Sequence, residues 1–140
     1  MINKRKSTVI VLFMMLLMAA CNVMPNEVSD PLDGTEWELL YIRKSTPIHG
    51  STLTIAFKDG EVNGTAGCNR YFGNYQINGD RITFGMLAWT EMACMQPEGI
   101  MEQEQAYMAF LSEVVRFEIE DGQLVLAKAA QEQLLFKKSS

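Results

Sequence analysis

Apolar and polar residues alternate with a period of two along most of the chain from Thr35 onward. This period is typical of β-strands that bury one face. The alternating segments are short, and Asp59-Gly60, Asn78-Gly79 and Asp121-Gly122 separate some of them as tight turns. Their apolar members are Trp37, Leu39, Tyr41, Leu53, Ile55, Phe57, Tyr75, Ile77, Ile82, Phe84, Phe117, Ile119, Leu124, Leu126, Leu134 and Phe136. The pattern therefore predicts an antiparallel β-meander.

One segment follows a helical period instead. Residues 100–115 contain no glycine or proline, and one stripe recurs at a spacing of three and four residues. Its members are Ile100, Glu104, Tyr107, Met108, Leu111 and Val115, with Glu104 as the polar one. Glu98 and Glu102 lie early, where the helix dipole favours acidic side chains. We expect an α+β fold, in which a curved, half-barrel-like antiparallel meander packs with one amphipathic helix.

Residues 1–20 have the pattern of a secretory signal peptide. Basic residues at 4–6 precede an apolar run from Val9 to Met18 and two alanines. Ten helical residues span only about 15 Å, half of a bilayer core, so the run is too short for a transmembrane helix. Met18-Ala19-Ala20-Cys21 resembles the lipobox of bacterial lipoproteins, although leucine is commonest where Met18 stands. The resemblance implies a lipidated Cys21, and an ordinary signal cut after Ala20 is the alternative.

Residues 21–34 contain two prolines and little periodicity, which predicts a flexible tether before a domain at 35–138. A lipoprotein cysteine carries several acyl chains, and two or more chains hold a protein stably on a membrane. The predicted partner of Cys21 is therefore the membrane itself. Asn22 rather than aspartate follows Cys21, and the resemblance to enterobacterial sorting favours the outer membrane, facing the periplasm.

Composition narrows the function classes. The chain has 140 residues, enough for one domain, and 12 Lys and Arg against 17 Asp and Glu. Loss of the three basic residues at 4–6 leaves nine against 17, a net charge of −8, which argues against nucleic acid as a partner. One histidine and three cysteines cannot build the multi-ligand zinc clusters that carry a clear spacing signature, although Cys68, Cys94 and His49 could bind a metal on ligand count alone if both thiols stayed reduced. Four of the ten methionines lie in the signal, which argues against a methionine-rich binding surface.

Two motifs about 20 residues apart carry a family resemblance. The first is Gly67-Cys68-Asn69-Arg70-Tyr71, and the second is Thr90-Glu91-Met92-Ala93-Cys94. With Trp37, the predicted helix and the last hairpin, they resemble the META domain of HslJ-like bacterial lipoproteins over residues 35–138. Glu91 departs from the pattern, because arginine is frequent there. The resemblance implies an envelope location and loose links to stress response, drug resistance, motility or secretion, but no defined reaction and no cofactor.

Cys68 and Cys94 would be the only thiols left after lipidation of Cys21. A secreted domain in an oxidising compartment tends to pair its cysteines, so we expect a disulfide. Its 27-residue loop would contribute about 3.6 kcal/mol in the chain-entropy model. The alternative is two separate buried cysteines with free thiols, which would act as small hydrophobic residues of the core. A nucleophilic Cys–His pair or a metal site would have to use His49, and nothing in the spacing supports either.

Asn69, Arg70 and Tyr71 lie between two glycines and admit two interpretations. As a recognition turn exposed to solvent, they would offer the charged guanidinium of Arg70 beside the aromatic ring of Tyr71. As structural residues, Asn69 would stabilise the turn while Arg70 pairs with an acid and Tyr71 packs. Trp89 lies in the irregular segment before the helix and becomes a further candidate contact if it is exposed.

The leading hypothesis is a non-enzymatic, membrane-anchored envelope lipoprotein that binds another envelope component or supports assembly. The alternative is a carrier of a small hydrophobic ligand or lipid in a half-barrel cavity. A hydrolase or redox enzyme that uses Cys68 or Cys94 is the third and weakest candidate. No phosphate-binding loop, dinucleotide fingerprint or hydrolase elbow occurs in the sequence.

Overall fold

The computed structural model describes residues 29–128 and 132–139. The predicted signal peptide at 1–20, the lipidation site Cys21 and residues 22–28 of the predicted tether lie outside the described residues. In the part of the chain that is described, no helix combines the length and the apolar character needed to cross a membrane.

Nine strands and one helix follow each other along the described chain. The elements are β1 (Thr35–Ile42), β2 (Thr54–Lys58), β3 (Glu61–Thr65), β4 (Arg70–Asn78), β5 (Arg81–Phe84), β6 (Ala88–Trp89), α1 (Ile100–Ser112), β7 (Arg116–Glu120), β8 (Gln123–Ala127) and β9 (Gln133–Lys138). Every strand except β6 overlaps a segment where the sequence alternates, and α1 begins at the first residue of the predicted stripe. The local predictions of these strands and of the helix are therefore confirmed, whereas β6 and the first residues of β4 lie where the sequence predicts an irregular segment and a turn.

Eight of the strands form a closed antiparallel barrel. Their order is β3-β2-β1-β9-β8-β7-β5-β4, and β4 pairs back with β3 over five residue pairs to close the ring. The pairing of β5 with β7 contains the fewest residue pairs of any in the barrel, since only Arg81 and Arg116 stand opposite each other. A hydrogen bond of 3.0 Å from the Phe117 amide to the Asp80 carbonyl supports it. The remaining strand, β6, lies outside the ring and pairs only with β4.

The prediction of a half-barrel α+β meander is therefore wrong. Residues 29–128 and 132–139 are mostly sheet, the sheet closes on itself, and the one helix among them is short. Alternation along a strand reports which face is buried, and it does not report which strand lies on either side. Closure depends on strand pairs that are distant in sequence, above all β1 with β9, and no local pattern encodes them.

The barrel interior is filled by side chains. Buried residues from every strand except β6 form one hydrophobic cluster with four residues of α1, namely Tyr107, Met108, Phe110 and Leu111. Aromatic rings pack edge to face within it, with centroids 4.9 Å apart for Phe57 and Tyr75 and 5.9 Å apart for Tyr71 and Tyr107. An interior packed in this way is a core and not a ligand chamber.

Three predicted inward positions face solvent instead, and one of them is Ile119 on β7, which is 38% exposed. A register shift between Leu39 and Tyr41 in β1 leaves Tyr41 42% exposed and half-buries Ile42 in its place. Val115 is 43% exposed because α1 ends at Ser112, and the Val115 amide donates to the Ala127 carbonyl at 3.0 Å as β7 approaches.

The end of the predicted tether packs on the barrel. Leu32 is fully buried in the core cluster, and its amide donates to Asp30 Oδ1 at 2.8 Å. The hydroxyl of Tyr75 donates to Asp30 Oδ2. Burial first, and then this hydrogen bond to Asp30, raises the pKa of Tyr75 above its ordinary value. The packed domain thus includes residues 30–34, which the polar and proline-rich composition places in the tether.

Candidate functional site

The two sequence motifs meet at the side chain of Asn69, which is 2% exposed. Its amide nitrogen donates to the Met92 carbonyl at 3.0 Å and to Glu104 Oε1 at 2.7 Å. Its Oδ1 accepts from the Thr90 hydroxyl at 2.7 Å and from the Met92 amide at 2.8 Å. Both donors and both acceptor positions of the amide are therefore used inside the protein. Asn69 is a structural junction and has no hydrogen-bonding capacity left for a ligand.

Glu104 fastens the helix to this junction. It is 5% exposed, and its Oε2 accepts the backbone N–H of Asn69 at 2.6 Å while Oε1 accepts the side-chain amide. Hydrogen bonds to a carboxylate are about twice as strong as neutral ones, so the two bonds offset part of the cost of burying the charge. The polar member of the predicted stripe thus has a partner, which the helical pattern alone did not identify.

Cys68 and Cys94 form the predicted disulfide, with their Cα atoms 6.0 Å apart. The bond joins the turn before β4 to the irregular segment before α1. The alternative of two free buried cysteines is therefore wrong for this structure. Because both thiols are used in this bond, neither is available for a nucleophilic Cys–His pair. His49 is exposed on the loop after β1.

Gly67 is required where the turn passes beneath the helix. Its φ of +111° lies in the region that side chains disfavour, and a Cβ there would stand 2.8 Å from Ile100 Cδ1. Together with the junction and the disulfide, this close approach explains the first motif as packing chemistry around the start of α1.

Tyr71 points into the core and is 1% exposed. Its hydroxyl donates to the Thr54 carbonyl at 2.8 Å, so the Tyr107 hydroxyl, 3.0 Å away, donates to Tyr71. Burial, the largest cause for each, raises the pKa of both tyrosines above the ordinary value. Tyr71 is therefore a core residue rather than a surface contact.

The four candidate binding residues consequently lie in different environments. Asn69 and Tyr71 are buried, Arg70 is exposed at the start of β4, and Trp89 is 52% exposed on β6. Asn69 and Tyr71 thus follow the structural interpretation, and the three adjacent side chains are not presented together as a recognition turn. Of the four, Trp89 alone lines the groove that is described next.

A groove of about 630 Å³ lies between α1 and the segment that follows β5. We call it the methionine groove. The segment contributes Gly85, Met86, Leu87 and Trp89. The helix contributes Met101, Glu104, Gln105, Met108, Ala109 and Ser112. The helical positions recur at three- and four-residue spacing, so they form one face of α1 beside the face that enters the core.

Strand β4 positions the outer wall of the methionine groove. Trp89 stands opposite Tyr71 in the β4–β6 register, and the Gly85 amide donates to the Asn74 carbonyl at 2.8 Å. A Cβ on Gly73 would lie 2.8 Å from Leu87 Cδ2 and 2.9 Å from the Met86 carbonyl. The wall can approach β4 this closely because residue 73 has no side chain.

The sequence model of the META domain matches residues 30–140. The chain belongs to the META domain family. The resemblance carried by the two motifs is thereby confirmed.

Two solved structures share the fold of this META domain. An NMR structure of a protein from Burkholderia xenovorans is 25% identical with a TM-score of 0.63, and the match covers 86% of this chain and 99% of that one. A second NMR structure is 24% identical with a TM-score of 0.62, covering 76% and 90% of the two chains. No curated protein sequence matches the chain significantly.

Methionines concentrate around the groove of this META domain. All five methionines in the described residues lie between positions 86 and 108, and three of them, Met86, Met101 and Met108, line the groove. Met86, Met95 and Met92 are 94%, 84% and 54% exposed. Composition favours a methionine-rich binding surface less than the raw count of ten suggests, but a count does not show that the fold gathers methionines around one groove. The spacing of Met101 and Met108, two helical turns apart, was the signal available in the sequence.

The described side chains also bear on metal binding. Within residues 29–128 and 132–139, no three or more His, Cys, Asp or Glu side chains are grouped so that they could hold an ion. The groove wall instead consists of thioethers, an indole, aliphatic carbon and three polar side chains, so its chemistry favours apolar contacts.

Proposed function

We propose that this META domain is a non-enzymatic binding protein of the bacterial cell envelope, anchored by a lipidated Cys21 and using the methionine groove as its binding site. The groove is the observation that carries the proposal. Its volume of about 630 Å³ lies in the range of ligand-binding clefts, which are mostly apolar with a few polar groups.

The residue types of the groove support binding of a flexible apolar group. Methionine is unbranched and polarisable, so it adapts its shape to different apolar surfaces. Trp89 adds a large flat ring that is half exposed. Exposed apolar patches on a folded domain commonly mark the contact with a partner or ligand.

The remaining features of the domain support a binding role over a catalytic one. The hydrogen-bonding groups of Asn69 are all used internally, and Cys68 and Cys94 are joined. A general acid–base or nucleophilic mechanism needs a positioned reactive group beside the substrate. The polar groups in the groove are Gln105, Ser112 and Glu104, and the carboxylate of Glu104 is engaged by Asn69.

The disulfide also supports the proposed location. Disulfides persist in oxidising compartments such as the bacterial periplasm. A lipid anchor at residue 21, nine residues before Asp30, would keep the domain at the periplasmic face of the membrane, and Asn22 favours the outer membrane.

A carrier of a free hydrophobic ligand or lipid is the second candidate function, and the apolar lining of the groove favours it too. Its site would be the groove, because the barrel interior is occupied by core side chains. Chemical identity of the ligand, rather than its place on the protein, separates the two functions.

The groove is tested with N-phenyl-1-naphthylamine, a neutral apolar dye whose fluorescence rises on binding. The protein is the mature-length chain, residues 21–140 with Cys21→Ala, so that no acyl chain competes. Ala109→Phe fills the groove from an exposed position of α1, and we expect it to weaken dye binding at least about tenfold. Ala106→Phe is the matched control, because Ala106 is exposed on the same helix outside the groove. Absence of saturable dye binding would overturn the proposal.

The anchor is tested separately by mass spectrometry and membrane fractionation of the expressed full chain. We expect the wild-type chain to carry acyl groups on residue 21 and to sediment with membranes. The Cys21→Ala chain should remain unacylated and leave the membrane fraction. Recovery of unacylated wild-type protein as a free periplasmic domain would refute the anchored role.

A further inference from the structure

Both walls of the methionine groove belong to a stretch of chain that lacks basic residues. Residues 82–115 contain five glutamates, namely Glu91, Glu98, Glu102, Glu104 and Glu113, and no Lys, Arg or His. All nine Lys and Arg that follow residue 20 lie outside the stretch. The two wall segments of the binding site proposed above therefore contribute acidic side chains and no basic ones, while the exposed Arg70 lies beside them on β4, where its carbonyl accepts the Thr90 amide at 3.0 Å.

The five glutamates do not contribute equally. Glu104 is buried against Asn69, and Glu113 pairs with Lys128 at 2.8 Å. Glu91, Glu98 and Glu102 are exposed, and no ion pair to them occurs within the described ranges. These three carboxylates are the ones available to a partner.

Glu102 is placed at the rim of the groove. It follows Met101 directly and stands three residues before Gln105, and both of these residues line the groove. Residues three apart are neighbours on a helix surface. Glu98 lies just before α1, three residues ahead of Met101, and Glu91 lies two residues after Trp89. Glu98 and Glu102 therefore lie within about one helical turn of the lining residue Met101, and Glu91 follows the opposite wall in sequence.

We propose that the occupant of the methionine groove is a cationic amphipathic peptide segment of a partner protein; this inference rests on the proposed binding function. Its apolar side chains would pack on Trp89, Met101 and Met108, while its Lys or Arg side chains face Glu98 and Glu102. Charge complementarity of this kind raises association rates and selects partners. A negatively charged lipid surface is a poor alternative, because the same glutamates would repel it.

The dimensions of the helix define the length of the occupant. The lining positions extend from Met101 to Ser112, a rise of roughly 16 Å along α1. A partner helix laid along it would contribute about three turns, with apolar anchors at i, i+4 and i+7 and basic residues beside them.

Two matched peptides test the inference on the mature-length chain with Cys21→Ala. One is a 14-residue amphipathic helix of leucine and lysine, and the other has glutamate in place of every lysine. We expect the lysine peptide to displace N-phenyl-1-naphthylamine from the groove and to bind at least about tenfold more tightly than the glutamate peptide. The ratio of the two peptide affinities should fall as the salt concentration is raised from about 0.05 M to about 0.5 M, since salt screens exposed charges.

Charge variants locate the interaction. Glu98→Gln with Glu102→Gln should weaken the lysine peptide about threefold to tenfold and leave dye binding unchanged. Glu118→Gln with Glu120→Gln is the matched control, because both residues are exposed on β7. Ala109→Phe should weaken binding of the lysine peptide at least about tenfold, measured by the fluorescence anisotropy of a labelled peptide because this variant binds the dye weakly, and this separates binding in the groove from adsorption elsewhere on an acidic protein.

The outcomes separate the two proposals. Equal binding of the two peptides, together with normal dye binding, overturns the inference and leaves the binding function standing. Binding of phosphatidylglycerol vesicles in preference to the lysine peptide, or a peptide affinity that Ala109→Phe does not change, also overturns it. Absence of dye binding and of peptide binding removes the proposed function itself.

Discussion

The barrel interior and the methionine groove are both apolar, yet they are built from different residue types. The interior contains aromatic and branched side chains such as Phe57, Ile55 and Leu124, which are at most 1% exposed. The groove presents Met86 and Trp89, which are 94% and 52% exposed. Branched and aromatic side chains in a dense core favour one packing arrangement, whereas methionine retains several. The difference shows that one region is packed in a single arrangement, while the other retains side chains that can adapt their shape, as the proposed binding function requires.

The boundary between the two regions is polar. Residues 90–99 form no strand, and they are held by the Asn69 junction and by the disulfide from Cys94 to Cys68. The same junction holds Glu104 of α1, which lines the groove. Removing these links should therefore disturb the groove and the barrel together, whereas changes within one region should affect that region alone.

The largest effect is expected from Asn69→Ala. The substitution leaves the buried Glu104 carboxylate without its side-chain donor and detaches Thr90 and Met92, so the free energy of unfolding should fall by about 3–5 kcal/mol. Urea unfolding followed by circular dichroism measures it. Asn74→Ala on the same strand is the control, with a change within about 0.5 kcal/mol because Asn74 is exposed. Equal effects of the two variants would show that Asn69 is not the junction.

The next effect is expected from Cys68→Ser with Cys94→Ser. Opening the 27-residue loop should lower the free energy of unfolding by about 3.6 kcal/mol in the chain-entropy model. It should also weaken dye binding, because the segment after β6 loses its covalent link to the barrel. Labelling of free thiols in the unfolded, unreduced wild-type chain provides an independent check. Two reactive cysteines there, or an unchanged stability in the double variant, would contradict the role of the bond.

The smallest effect is expected from alkaline pH and arises in the interior. Burial raises the pKa of Tyr71 and Tyr107 above the value near 10 that tyrosine has in an unfolded chain. Below pH 10 both states hold these protons and stability is constant. Above pH 10 the unfolded state releases them first, so the free energy of unfolding should fall by about 1 kcal/mol per pH unit for each tyrosine. Urea unfolding between pH 8 and pH 11.5 measures this slope.

Tyr107→Phe sharpens the same measurement, since it removes one of the titrating groups and should make the slope shallower above pH 10. Tyr41→Phe is the control, because Tyr41 is 42% exposed. A slope that Tyr107→Phe leaves unaltered would place the alkaline sensitivity outside the Tyr71–Tyr107 pair.

Local patterns were sufficient for the elements and for the family. Alternation in segments such as Leu53–Phe57 and the stripe from Ile100 to Leu111 reflect which face each element buries, and burial acts residue by residue along the chain. The pairing of Cys68 with Cys94 also followed from the sequence, because lipidation of Cys21 would leave no other partner. The two motifs identified the family because they are long and specific.

Tertiary structure alone decided the closure of the barrel, the burial of Tyr71 and Leu32, and the gathering of methionines around one groove. Each of these depends on contacts between residues far apart in the chain, such as β1 with β9, Asn69 with Glu104, and Met86 with the helix. Periodicity records the environment of a residue but not the identity of the neighbour that supplies it. The sequence by itself therefore determined most of the strands, the helix, the disulfide and the family, while long-range pairing decided which side chains face the core and which line the groove.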